Sequence, residues 1–347
     1  MNGFKIRIHN KLFTEYNYHK IQELAEKDTG EIYEQIITFL SSWKKDVDFI
    51  NINTSGSTGE PKTIRMPKQS MLQSAERTIM FFDLKKDDTA LLCLPVKYIA
   101  GKMMLVRAMV SGLNLEVVSP SSNPFLKIKS SIDFTAITPH QLRSSYEILK
   151  NISVKKIIVG GAPVSAELES LADTLSCDIY ETFGMTETCS HIALRKLNGP
   201  YKSPWFKILD GIEISSNEDG CLVIKVPGLK EEKIETNDVV EIKNNSHFKW
   251  IGRIDHVINS GGIKVFPENI ERKIESIIPG KFYIRSTTDN IFHEKPELIM
   301  EGKPLSKEKE SNLLNAIKKE LALYEMPVGI KYVPKISLTG SQKMRRE

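Results

Sequence analysis

The stretch from Thr54 to Lys62, TSGSTGEPK, has the residue types and spacing best suited to chemistry. Glycine lets backbone N–H groups come close to an anion, hydroxyls donate further hydrogen bonds, and a lysine adds a mobile positive charge. Such a loop suits a phosphate group, although read alone it serves equally well as a surface turn. A Walker A loop needs Gly-Lys-Ser/Thr opening a helix. Here Pro61 precedes Lys62 and the following TIRM is strand-like, so the Walker reading fails.

Four later stretches also carry chemistry-bearing residues. Gly160-Gly161-Ala162-Pro163 follows the apolar run KKIIV; its small residues would let a flat ring lie against backbone, and by itself it is a strand-to-helix turn. Thr182-Phe183-Gly184-Met185-Thr186-Glu187-Thr188 combines hydroxyls, an aromatic ring and a carboxylate. Thr236-Asn237-Asp238 puts an acid in a β-rich turn, which alone reads as a solvated loop residue. Gly252-Arg253-Ile254-Asp255 runs on through VINSGGIKVFPENIE, where Pro267 suits a helix start. The tail LTGSQKMRR holds Lys343, Arg345 and Arg346, the one tight basic cluster, which alone reads as a solvated end.

Taken together and in order, these stretches resemble the signature motifs of the adenylate-forming superfamily. That superfamily includes acyl-CoA synthetases, luciferases and the adenylation domains of peptide synthetases. The resemblance covers nearly everything after Phe49. It implies that Thr54, Ser55, Gly56, Ser57, Thr58, Gly59 and Lys62 form the loop over the β- and γ-phosphates of ATP. Gly160, Gly161, Ala162 and Pro163 would flank the purine, together with Thr182, Phe183 and Gly184. Thr186 would contact the α-phosphate and Glu187 would help hold Mg²⁺, a hard cation that prefers oxygen ligands. Phe183 stands where the family has tyrosine, and a ring that serves as a stacking surface can lose its hydroxyl. Asp238 would accept from both ribose hydroxyls. Its neighbour Asn237 replaces the usual glycine, and asparagine tolerates left-handed backbone. Arg253 would add a ribose contact and Asp255 the hinge. Gly261 and Gly262 would lie beside the pantetheine arm of coenzyme A. Lys343 would be the catalytic lysine, with Gln342 where glycine is usual.

The chemistry implied is activation of a carboxylate as its mixed anhydride with AMP, releasing pyrophosphate, followed by acyl transfer to a thiol. Lys343, Thr186 and Mg²⁺ would stabilise the charge developing on phosphorus. The block LPVKYIAGKMMLVRAMV, Leu94 to Val110, narrows the acid. It resembles the substrate segment of the o-succinylbenzoate:CoA ligases of menaquinone biosynthesis, in which Leu-Pro-x-x-His/Tyr-x-x-Gly is followed six residues later by arginine. Tyr98 takes the gating position, and Arg107 would bind the second carboxylate through its planar fork. On spacing alone, Arg107 and Lys102 are also the polar face of a helix. Ser190 and His191 would line the acyl pocket. Another acid, or a carrier protein's phosphopantetheine thiol, is the alternative, and a non-catalytic nucleotide-binding module is the reading from another class.

The elements that must position these residues can be read from periodicity. FKIRI is strand-like, and Tyr18 to Trp43 has helical spacing broken near Asp28 to Gly30. From Phe49 to Phe183, FININ, ALLCL, LNLEVV, FTAIT, KKIIVG and DIYETF alternate with helical runs such as KQSMLQSAERTIMFF, which predicts parallel strands with crossover helices. GIEISSNEDGCLVIKV reads as a hairpin at Asp219-Gly220. The fold class expected is α/β: residues 1–254 form a large ATP- and acyl-binding domain of layered α/β subdomains plus a β-rich subdomain. Residues 255–347 form a small mobile α+β C-terminal domain.

The 347 residues suffice for this without staples, and a net charge of +4 spread over mixed signs implies no nucleic-acid partner. Cys93, Cys177, Cys189 and Cys221 are far apart, with no CxxC, so reduced, mostly buried thiols are expected. The N-terminus lacks the apolar core of a signal peptide and no run is long enough to span a membrane, so a cytoplasmic protein without stable membrane insertion is expected. The phosphate loop comes earlier than in most superfamily members, which leaves open a more exposed acyl site or a homo-oligomer.

Overall fold

The computed structural model describes residues 3–25, 30–53, 63–229, 231, 233–337 and 346. The loop residues Thr54, Ser55, Gly56, Ser57, Thr58, Gly59 and Lys62, and the tail residue Lys343, lie outside the described residues. The chain separates into two compact units. One comprises Met1–Val164, Leu168–Glu213 and Lys225–Ile234; the other comprises Ser165–Glu167, Ile214–Ile224 and Glu235–Glu347.

The first unit opens with β1 (Lys5–Ile8), β2 (Lys11–Thr14), α1 (Gly30–Lys44) and the pair β3 (Phe49–Asn53) and β4 (Thr63–Pro67). Tyr18–Leu24, read from the sequence as helical, forms a 3₁₀ segment. Then follow α2 (Lys68–Phe82), β5 (Thr89–Leu92), α3 (Ile99–Ser111), β6 (Asn114–Val117), β7 (Ile132–Ile137), α4 (Pro139–Leu149), β8 (Val154–Val159), α5 (Ala166–Ala172), β9 (Asp178–Gly184), β10 (His191–Lys196) and β11 (Phe206–Ile208). Strand order is β11-β10-β9-β8-β7-β5-β6-β1-β2. The run from β9 to β6 is parallel, as the alternating pattern predicts. Residues 134–137 of β7 and 157–159 of β8 are buried on both faces, as strands of a parallel sheet covered by helices on each side are. Ile132, Ile157, Val159, Leu142 and Ile179 form its centre. Helix α4 starts where its sequence provides for it: Thr138 and Gln141 make a reciprocal capping box and Pro139 occupies the first turn.

The second unit contains β12 (Glu213–Ser216), β13 (Cys221–Lys225), β14 (Lys233–Lys243) and β15 (His247–Arg253), adjacent in that order. Gly220, at φ +78°, makes the predicted turn between β12 and β13. Next come β16 (Ile258–Ser260), β17 (Ile263–Val265), α6 (Pro267–Ile274), β18 (Phe282–Asp289), β19 (His293–Glu301), α7 (Lys307–Glu320) and β20 (Ile330–Val333). Their sheet runs β17-β16-β19-β18, with β20 parallel to β19. Ile258, Ile270, Ile274, Ile284, Leu298 and Ile317 fill the space between this sheet and the two helices.

The strands from Glu235 onward group with the C-terminal residues. The physical reason is packing between β15 and α6. A Cβ on Gly252 would meet Glu268 Oε2 at 2.8 Å and Phe266 Cβ at 3.1 Å, and the Arg272 guanidinium lies 5.6 Å from the Trp250 ring centre.

All four cysteines are free and buried. No described helix is long and apolar enough to cross a membrane.

Candidate active site

In the first unit, the described strands flanking the phosphate-loop sequence pair antiparallel up to Asn53 and Thr63, and the Thr63 hydroxyl donates to Asn53 Oδ1 at 3.0 Å. A strand follows the loop rather than a helix, which agrees with rejection of a Walker A site.

The Gly160-Gly161-Ala162-Pro163 turn leaves β8 with close tolerances. A Cβ on Gly160 would sit 2.3 Å from Thr182 Oγ1, whose hydroxyl donates to Val159 O. Gly161 has φ +90°, a backbone that side chains avoid. Gly161, Ala162 and Pro163 are exposed and give a backbone surface free of bulky side chains. Beneath it, Glu181 Oε1 accepts from Val164 N at 2.9 Å while Arg195 grips the same carboxylate and reaches Glu169 at 3.1 Å. Burial opposes the Arg195 charge, but Glu181 and Glu169 hold its pKa above the ordinary value. Glu181 and Arg195 went unassigned in the sequence because both lie inside strand-like runs, DIYETF and HIALRK. Phe183 is half-buried and packs edge-on against Phe206, with ring centres 5.7 Å apart.

Thr186 and Glu187 sit on the loop between β9 and β10. A Cβ on Gly184 would fall 2.4 Å from Ser190 O, so only glycine lets the chain turn back this closely. Buried Thr188 knots the turn, its Oγ1 accepting from Met185 N at 3.0 Å and donating to Ser190 O at 2.7 Å. Cys189, at φ +70°, closes it by donating from its backbone to Thr186 O. The loop presents Thr186 half-buried and Glu187 exposed. Among the described residues neither the Thr186 hydroxyl nor the Glu187 carboxylate has a partner. Both are free for an external phosphate or cation. Thr188, which fixes them, lies inside the motif but has no assigned role in the sequence reading.

Arg107, Ser190 and His191 come together as the sequence suggests. Arg107, on α3, is 1% exposed. Its Nη2 donates to Ser190 Oγ at 3.3 Å, its Nε has no partner, and no carboxylate faces it among the described residues. Burial lowers its pKa to about 10. The Cys189 thiol also acts on it, and burial pushes that thiol up to about 12 and so keeps it neutral. His191 is buried and its pKa is driven well below the usual range by burial and then by Arg107. The hydrogen bonds assign its tautomer. Thr78 Oγ1 donates to Ser74 O, so it must accept from His191 Nε2, leaving Nδ1 to accept from Ser190 Oγ. Ser190 has then donated its only proton and can accept from Arg107. This chain of donors ends on a guanidinium that still lacks an anion.

Lys102 and Tyr98 are not part of that cluster. Lys102 Nζ donates to Val96 O at 2.8 Å and Lys97 O at 2.6 Å, and burial lowers its pKa to about 8. It borders a cavity of 430 Å³ lined also by Glu31, Glu34, Phe39 and Lys97. Tyr98 immediately precedes α3 and is 46% exposed, with Lys97 Nζ 5.4 Å from its ring centre. Gly101 is forced, since a Cβ would meet Pro95 O at 2.4 Å.

In the second unit, Asp238 and Arg253 face each other across β14 and β15. Asp238 Oδ1 accepts from Trp250 Nε1 at 2.9 Å, and Asp238 N donates to buried Thr236 Oγ1 at 3.1 Å. Asp255 accepts from Arg253 at 2.6 Å and from Asn237 at 2.9 and 3.0 Å, and these bonds, Arg253 first, hold its pKa below the ordinary carboxylate value. Asn237, standing where glycine is usual, thus ties the turn to the Asp255 junction. Gly261 and Gly262, at φ +60° and +85°, are the exposed two-residue tip of the β16–β17 hairpin.

The model of the AMP-binding enzyme family matches residues 22–224, more than half of the chain. The 2-succinylbenzoate–CoA ligase of Salmonella typhimurium is 25% identical over 312 residues, covering 84% of this chain and 66% of that protein. The chain therefore spans just under two thirds of that relative's length. A crystal structure of an acyl-CoA synthetase (AMP-forming)/AMP-acid ligase II-like protein from Dyadobacter fermentans is 34% identical, with TM-score 0.62, covering 93% of this chain and 94% of that one. The o-succinylbenzoate CoA synthetase of Bacillus subtilis, solved with its acyl-adenylate intermediate, shares the fold at 21% identity and TM-score 0.73, over 85% of this chain and 67% of that one. With the family match spanning the Gly160 turn, the Thr186-Glu187 loop and the Arg107 cluster, this chain belongs to the AMP-binding enzyme family.

Proposed function

We propose that the protein is an ATP-dependent acid–thiol ligase that adenylates a carboxylate, releases pyrophosphate and passes the acyl group to coenzyme A. The acid is o-succinylbenzoate. The observation that carries the substrate reading is the Arg107 guanidinium, fully buried beside neutral Ser190, His191 and Cys189 with no counter-anion among the described residues. A buried unpaired charge costs several kcal/mol, on the order of 3–5, when its partner is missing, so a site of this kind selects a ligand bearing an anion. A dicarboxylate supplies one carboxylate for activation and one for the arginine fork. The named activities of the Salmonella and Bacillus relatives support this choice.

The chain's own residues have separable tasks. The smooth Gly161-Ala162-Pro163 surface and the Phe183 ring flank the purine, and Asp238 with Arg253 takes the ribose. Thr186 donates to the α-phosphate, and Lys343 neutralises charge shared by the carboxylate and phosphate oxygens as the anhydride forms. Mg²⁺, when bound, stabilises charge on the phosphates. Among the described residues no group of three or more His, Cys, Asp and Glu could cage a metal, but the unpaired Glu187 carboxylate fits a Mg²⁺ ion that takes one or two carboxylates plus substrate phosphates. Residues 255–347 act as the mobile part, turning at Asp255 so that the Gly261-Gly262 tip replaces Lys343 for thioester formation.

The test is pyrophosphate release with ATP and Mg²⁺ across a panel of carboxylates including o-succinylbenzoate, with coenzyme A, with a phosphopantetheinylated carrier protein, and with neither. Turnover confined to o-succinylbenzoate and sustained by coenzyme A is the expected result. Release with monocarboxylates alone would sink the substrate assignment, and turnover sustained only by the carrier protein would move the acceptor.

A further inference from the structure

The second unit holds another buried guanidinium, that of Arg346, near the C-terminal end. We infer that Arg346 is a positioning residue for adenylation: its guanidinium anchors the chain, three positions after Lys343, onto α6 and toward the residue that follows Asp255. This inference rests on the adenylation reading given above.

The geometry of the clamp is specific. Arg346 is 17% exposed, and its fork lies on the Glu271 carboxylate, with Nη2 2.7 Å from Oε2 and Nη1 bonded to Oε1. Nη1 also donates to Ile284 O at 2.7 Å, while Ile284 N donates back to Glu271 Oε1 at 2.6 Å. A ring of bonds thus joins Arg346, helix α6 and strand β18. Glu268, one helical turn before Glu271, lies 3.6 Å from Nη2 and is bonded by His256 Nδ1, the residue directly after Asp255. One carboxylate, Glu268, therefore connects Arg346 to the residue beside the proposed hinge.

A solvated surface arginine has no use for such a set of bonds, because holding a long side chain in one geometry costs conformational entropy. The consequence lies upstream in the sequence. Arg346 lies three positions after Lys343, and three residues of chain span at most about 11 Å. Fixing Arg346 therefore limits where the Lys343 amine can go, and catalysis by a positioned charge is steep in distance. Arginine is required because only its planar fork can satisfy Glu271 and the Ile284 carbonyl together; a lysine would keep the charge and lose the geometry.

The experiment compares Arg346→Met, Arg346→Lys, Lys343→Ala and the double variant Arg346→Met/Lys343→Ala. Each is assayed in two half-reactions: ATP–pyrophosphate exchange with the carboxylate that wild type uses, and thioester formation from supplied acyl-adenylate. The ratio of the two rates in one preparation is independent of the folded fraction. Expected results are a roughly 10–100-fold fall in exchange kcat for Arg346→Met with KM for ATP little changed, thioester formation retained, Arg346→Lys intermediate, and the double variant no slower than Lys343→Ala alone. Equal losses in both half-reactions, no loss in either, or a double variant reduced by the product of the single effects would overturn the clamp. If wild type shows no exchange with any acid, or Lys343→Ala leaves exchange intact, the adenylation reading or the role of Lys343 fails first and takes this inference with it.

Discussion

Two arginines, each largely withdrawn from water in its own unit, have opposite surroundings. Arg346 is enclosed by Glu271, Glu268 and a backbone carbonyl, and burial acting to lower its pKa is outweighed by these partners. Arg107 is buried more deeply, yet it has one serine hydroxyl, an idle Nε and a pKa lowered by burial to about 10. A buried charge that the chain has paired belongs to the structure, and one it has left unpaired is a place for a ligand. The difference between them is legible only in the partners, since both residues are ordinary arginines in the sequence.

The comparison is best broken at Arg107. Arg107→Met is expected to lower kcat/KM for o-succinylbenzoate by roughly 10³-fold, about 4 kcal/mol of lost charge pairing, while raising the melting temperature of the ligand-free protein because an uncompensated buried charge is gone. A fall in melting temperature with unchanged kcat/KM would make Arg107 a core residue. Arg346→Met should do the reverse to stability, costing about 3 kcal/mol in urea unfolding because Glu271 is left buried without its partner. Replacing Glu271 with Leu in the same chain should recover much of that loss. Full stability in the single variant would show that the clamp does not hold in solution.

Smaller effects sharpen the distinction between residues that meet ligand and residues that hold them. Thr188→Ala should cost about 1–2 kcal/mol of stability and should raise KM for ATP, since it frees the loop bearing Thr186 and Glu187. Unchanged KM in isothermal or kinetic titration would separate the knot from the site. The smallest effect is expected at Lys102, whose folded pKa of about 8 lies below its ordinary 10.5. Below pH 8 the amine is charged in both states and the folded state bears the full cost of burial. Between pH 8 and 10.5 the unfolded chain binds more protons, so stability gains from this residue as pH rises. Lys102→Met should therefore flatten the stability profile across that window, and an unchanged slope would refute the depressed pKa.

Much of the architecture was legible because periodicity reports burial. KQSMLQSAERTIMFF is helix α2 over the whole predicted run, and the β-rich runs from FININ to DIYETF are strands β3 and β5 to β9. Tyr18–Leu24 has helical spacing but forms a 3₁₀ segment, a conformation with apolar positions close enough in period that spacing cannot separate the two. The acyl-site residues were legible only in part. Arg107 and Lys102 are five residues apart, about 140° around a helix. They cannot share a face, and the structure sends one toward β10 and the other toward α1.

By itself, the sequence determined the motif order, the hairpin glycines and the exclusion of a Walker A loop, because these depend on local backbone chemistry. It also carried the family resemblance, which the family match then established. Only the tertiary structure decided which charges are paired. The carboxylates on Arg346 come from α6, 75 residues away for Glu271, and the lack of any on Arg107 among the described residues is a property of what is packed around it. Desolvation and counter-charge are set by neighbours in space, so the same side chain becomes a staple in one unit and a receptor in the other.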